Sequence, residues 1–144
     1  MELVIVAVIA LVGLFSLAWI AERRRRRKRE AVRAGTAQLA TALRRAAAPI
    51  PELLDSVGDY AAYERAVFAE VRAAAEDAQR ASAPEEAVGA HDRLLAALGD
   101  LFAIIEVYPD LVADDATATR LRTVENALAD ASHRRAELTS FVRP

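Results

Sequence analysis

Cysteine is absent from this 144-residue chain, which excludes disulfides, thiolate metal sites and cysteine nucleophiles and fits a reducing compartment. Histidine occurs only as His91 and His133, so a zinc or di-iron centre of the helix-bundle kind has little imidazole to draw on. Neither stands in a Glu-x-x-His motif: Val88 lies three residues before His91, and Asp130 three before His133. Glycine and proline number five each, no glycine-rich phosphate loop is present, and β-branched residues are sparse beyond the first twenty positions. No segment alternates with period two, and no repeat recurs at solenoid spacing. What remains is dominated by alanine, a strong helix former, and the expectation is an all-α chain.

The first segment lacks charge altogether. Residues 3–21 carry none, with only Gly13 and Ser16 as small or weakly polar interruptions. Nineteen residues of helix reach about 28 Å, the thickness of a bilayer core. A cleavable signal peptide would need basic residues before this run and a small-residue cleavage site behind it. Here Glu2 precedes it, and Arg23, Arg24, Arg25, Arg26, Arg27, Lys28 and Arg29 follow directly. The reading is an uncleaved anchor over residues 1–21, a basic juxtamembrane segment over 22–31 and a bundle domain over 32–144. The positive-inside asymmetry puts the N-terminus outside and the bulk of the chain in the cytoplasm. Trp19, one turn inside the arginines, suits the membrane interface.

The formal net charge of −2 conceals a division. Residues 22–45 hold ten basic and two acidic side chains, whereas residues 46–144 hold nine basic and eighteen acidic. The acidic part is repelled by nucleic acid and by anionic lipid, so no nucleic-acid partner is expected. Only the seven cations at 23–29 are candidates for contact with lipid headgroups, each contributing on the order of 1 kcal/mol near an anionic surface.

Beyond the cations, Val32, Gly35, Leu39, Leu43 and Ala46 recur at three and four residues, so the anchor helix continues out of the membrane until Pro49. A second helix is expected from Pro51 to Ser82, with Leu53, Val57, Tyr60, Val67, Phe68, Val71, Ala75 and Ala78 on one side. Ser82, three residues before Glu85 with Pro84 between, reads as the cap of a third helix. Its stripe is Val88, His91, Leu94, Leu95, Leu98, Leu101, Phe102 and Ile105, and Tyr108 and Pro109 stop it. A fourth, capped by Asp114 or Asp115, carries Leu121, Val124, Leu128, Ala131, Leu138 and Val142. Short connections make successive helices neighbours, which predicts an antiparallel four-helix bundle continuous with the membrane helix.

Catalytic constellations are not legible. No serine has a histidine nearby in sequence or a glycine elbow. The acidic pairs Glu76 and Asp77, Glu85 and Glu86, and Asp114 and Asp115 read as solvated faces or helix starts. His91 reads as a boundary histidine bonded to a neighbouring helix, His133 as a solvated residue. No catalytic, metal or cofactor residue is assigned.

The run Ile50-Pro51-Glu52-Leu53-Leu54, then Val57, Tyr60-Ala61, Glu64, Val67 and Phe68, resembles the LemA family of small bacterial membrane-anchored proteins. So do residues 94–101, the run Glu106-Val107-Tyr108-Pro109-Asp110-Leu111, and Glu125-Asn126. The resemblance covers roughly residues 43–126 and implies an N-terminal transmembrane helix with a bundle of long helices. It implies no activity, because the family's biochemical function is not established. The chain resembles a divergent member: where the family carries Tyr-Asn pairs, the last helix reads Ser132, His133, Arg134, Arg135 and Ala136, and the first soluble helix is alanine-rich.

These features favour a non-catalytic, membrane-tethered bundle on the inner face of the cell membrane. Membrane lipid and a protein partner, suitably basic, are the expected contacts, and self-association through the membrane helix is a further one. The competing reading is an enzyme or enzyme subunit with carboxylates facing each other across helices.

Overall fold

A computed structural model describes residues 1–58 and 64–142 of the chain. Its elements are α1 (Glu2–Ala47), α2 (Ile50–Ser56), α3 (Arg65–Arg80), α4 (Pro84–Val107), a 3-10 turn (Pro109–Val112) and α5 (Asp115–Val142). Among the described residues the protein is all-helical, with four long helices and one short one besides the 3-10 turn.

α1 is a single helix of 46 residues, about 69 Å long at 1.5 Å per residue. Its described side chains up to Ile20 point into open surroundings, and α1 is long and apolar enough to cross a membrane. Burial begins two turns after the cations, at Gly35 and Thr36, and continues through Leu39, Leu43, Ala46 and Ala47. Ala48 and Pro49 keep helical dihedral angles, but Pro49 and Pro51 have no N–H to donate, so the ladder breaks there and α2 starts afresh.

The helix expected over Pro51 to Ser82 is in fact two. α2 stops after Ser56, where the hydroxyl of Ser56 and the N–H of Val57 both donate to the Leu53 carbonyl, at 2.7 and 3.3 Å. Local side-chain bonding of this kind competes with the ladder, and Gly58 follows, a poor helix former. The expected stripe position Tyr60 lies outside the described residues, as does the expected terminal side chain of Val142.

The cap of α4 also differs. Its N-cap is Ala83, which has no side-chain acceptor; Glu86 instead reaches back and accepts from the Ser82 N–H, the Ser82 hydroxyl and the Ala83 N–H, at 3.1 to 3.2 Å. Only the glutamate half of a capping box is present, one residue later than Ser82 and Glu85 suggested. At α5 the Thr117 N–H donates to the Asp114 carboxylate at 2.9 Å, so Asp114 is the cap.

α1 packs most extensively on α5 and α3 on α4; α1 also touches α3 and α4, whereas α4 and α5 meet lightly. Gly35 lies against Leu138 and Gln38 near Arg134, so α1 and α5 run antiparallel. Arg93 bonds Glu70 and Asp77, with Asp77 beside Gly89 as well, so α3 and α4 do too. One core results, built from Leu39, Leu43, Ile50, Leu53, Val71, Leu94, Leu98, Leu101, Val124 and Leu138 with many alanines between them. On α4 the buried face turns toward Ala87, Ala90 and Ala97, because close contact with α3 is made by small side chains; Leu95, expected in the stripe, is 46% exposed.

Candidate functional site

Two places carry chemistry: a cationic collar on α1 and a buried histidine between α4 and α5. In the collar, seven successive cations span two helical turns and therefore point to every side of α1, forming a ring and not a stripe. All seven are exposed. The Arg23 guanidinium stands 5.0 Å from the centre of the Trp19 ring, a cation–π arrangement that ties the last apolar turn to the first charged one. Arg24 and Arg27 share a shallow notch with Trp19, Ile20 and Arg23, and Arg26 pairs with Glu22 at 3.1 Å. Arg25, Lys28 and Arg29 complete the circle.

His91 is 2% exposed and sits on the inner face of α4. Its Nδ1 lies 2.9 Å from an Asp92 carboxylate oxygen and its Nε2 2.9 Å from the Ser132 Oγ on α5. Arg135, one turn along α5, clamps Asp92 with two bonds of 2.7 and 2.8 Å. That guanidinium is the main reason the Asp92 carboxyl is held down to about 2, with the His91 hydrogen bond adding to it. An ionised Asp92 favours the proton on Nδ1 and turns Nε2 toward the Ser132 hydroxyl as acceptor.

Serine, histidine and aspartate are thus brought into a line that sequence reasoning missed, because Ser132 is 41 residues from His91. Ser132 lies within α5, where backbone N–H groups are taken up by the helix ladder. What the arrangement does is fasten α4 to α5 at a point where the two otherwise meet lightly. His133, by contrast, is exposed and faces Glu137 at 3.3 Å.

A third cluster staples α3 to α4. Arg93 bonds Glu70 at 2.7 Å and also Asp77, which in turn bonds Arg80 at 2.8 Å. Hydrogen bonds from Arg93 and Arg80 lower the carboxyls of Glu70 and Asp77 respectively, and the Arg93 guanidinium is raised by Glu70. All four side chains are well exposed, which makes this a solvated network of modest strength.

Fold and charge layout define a class: an all-α bundle whose first helix is a long apolar stalk ringed by cations at its exit. Within that class, the LemA family model matches residues 35–139, and the chain belongs to the LemA family. The match begins at Gly35, where α1 first becomes buried, and so coincides with the packed bundle and ends at Thr139 in α5, beyond Ser132 and Arg135. No curated protein matches the chain.

Proposed function

We propose that this LemA-family protein is a single-pass membrane protein whose bundle lies on the cytoplasmic face, and that it acts there as a non-catalytic scaffold or interaction module. The observation that carries the reading is the continuity of α1. One helix passes from an exposed apolar surface, through the ring of cations, into the buried core of the bundle. A rigid join of this kind holds the bundle at a set height and orientation above the lipid, with Trp19 and Arg23 at headgroup level.

The interior supports a binding role over an enzymatic one. Among the described residues, the buried side chains apart from Thr36, His91 and Thr117 are apolar, and no group of three or more His, Asp or Glu is placed to hold a metal ion. A basic partner fits the charge of the bundle. From Leu94 to Thr119 the chain has five carboxylates and no cation, and Val107 and Tyr108 are exposed within that stretch.

Topology is tested with reporters fused after Pro144. A reporter active only in the cytoplasm should work, and the protein should stay in the membrane pellet at alkaline pH. Activity of an exported reporter at that position would overturn the orientation. Cross-linking in native membranes should capture the bundle with a basic protein; turnover of a substrate by purified protein would overturn the non-catalytic reading.

A further inference from the structure

The seven cations of the collar are not equivalent. Ile20, Arg23, Arg24 and Arg27 follow at the three- and four-residue spacing of one helix face, and with Trp19 they line the notch on α1. Every side chain of that lining is aromatic, aliphatic or cationic. Arg25 and Arg26 turn away from it, and Arg26 is engaged by Glu22 at 3.1 Å. Glu30, the other carboxylate of this segment, lies three residues beyond Arg27, farther from the apolar span and outside the lining. Three guanidiniums therefore converge on one side of α1 beside an indole.

The direction in which they lean sets their height. Side chains of an α-helix tilt toward its N-terminus, which in α1 is the apolar end. Arg23 accordingly stands over Trp19, and Arg26 reaches Glu22, each four residues back. Arg27 shares the notch with Ile20, seven residues back. The backbone of Arg23, Arg24 and Arg27 lies about 3, 4.5 and 9 Å beyond Ala21 along the helix, and a headgroup layer is roughly 5–7 Å deep. The backward lean brings all three guanidiniums within that layer, with Trp19 and Ile20 at its inner edge.

We propose that this notch holds the headgroup phosphate of one anionic phospholipid, from the leaflet through which α1 leaves the bilayer. The guanidiniums of Arg23, Arg24 and Arg27 surround the phosphate oxygens, and the glycerol end of the lipid lies against Trp19 and Ile20. The inference rests on the membrane-anchor reading above. Arginine suits the task because its planar fork presents parallel N–H donors to phosphate, where an ammonium offers a point charge. The remaining cations act through their general field. Such a field would not separate one side of α1 from the other, since the screening length of about 8 Å at physiological salt is close to the width of the helix. A site would, and the two cases are distinguishable by experiment.

Trp19 is the only tryptophan of the chain, so its fluorescence reports directly on the notch. The full-length protein is reconstituted in phosphatidylcholine vesicles that contain a small fraction of spin-labelled lipid, with the label near the glycerol end of one acyl chain. Labelled phosphatidylglycerol should quench Trp19 more strongly than labelled phosphatidylcholine at the same fraction. Arg24→Gln combined with Arg27→Gln should lower that preference roughly fivefold or more, the size expected for one charge near an anionic surface. Arg25→Gln combined with Arg26→Gln removes the same charge at the same mean height from outside the notch, and should leave the preference nearly unchanged. All four arginines are exposed and precede Gly35, where α1 first becomes buried, so neither variant touches the packed bundle. An equal fall in both double variants, or no preference in the wild type, would overturn the proposal and leave the anchor intact. Relief of quenching by added inorganic phosphate would assign the notch to a soluble anion and so overturn it as well. Quenching by neither lipid would instead refute the anchor reading itself.

Discussion

Asp92 shows how a single residue ties charge to stability. Its carboxyl is held at about 2 against an ordinary 3.8, so the folded state resists its protonation more than the unfolded chain does. Its contribution is complete above about pH 4 and is lost as pH falls toward 2. Half the side chain meets water, so screening limits the effect to about 1 kcal/mol or less. Asp92→Asn should therefore lower stability to urea by that amount at pH 7, and the gap between wild type and variant should close near pH 2. A constant gap across this range would show that Asp92 acts by packing alone. Gly35 is the second residue whose environment sets an outcome. A Cβ there would meet the Leu138 Cδ1 at 3.1 Å, the far end of a flexible side chain with open space beside it. Leu138 can yield, so Gly35→Ala should be stabilising by about 0.5 kcal/mol through helix propensity. Gly35→Leu reaches the α5 backbone and should cost about 2 kcal/mol or more in chemical denaturation. The burial of His91 was legible from its place in the α4 stripe; its bond to Ser132 was not, because nothing local links positions 41 residues apart.

At the scale of elements, the ends of helices depend on one or two groups each. Glu86 alone satisfies two backbone donors and a hydroxyl at the start of α4, and these bonds hold its carboxyl below the usual range. Glu86→Ala should destabilise the start of α4 and fray its first turn, visible as faster amide exchange at residues 82–87. Gly99, mid-helix in α4 with open space at its Cβ position, points the other way: Gly99→Ala should add roughly 0.5–1 kcal/mol in urea melts. The proline stops and the acidic helix starts were readable because they act within a turn. The division between α2 and α3 was not, since it turns on how Ser56 and Val57 compete for one carbonyl. Nor was the exposure of Leu95: periodicity marks an apolar side but not which edge of it a neighbouring alanine face will choose.

For the whole molecule, stalk and bundle are one helix but two environments. Core residues of α1 begin at Gly35, so a chain lacking residues 1–21 should fold with unchanged helix content per residue and leave the membrane fraction entirely. Loss of cooperative thermal unfolding in that variant would show that the bundle needs its anchor. The sequence by itself determined the helical class, the long apolar first segment, the cations that follow it and the family, since each rests on composition or on patterns repeated within a few residues. Tertiary structure alone decided which faces became interior and that His91, Asp92, Ser132 and Arg135 meet. Those outcomes depend on how closely alanine and glycine let particular helices approach, a distance set by side chains far apart in the chain and invisible in any local stretch of it.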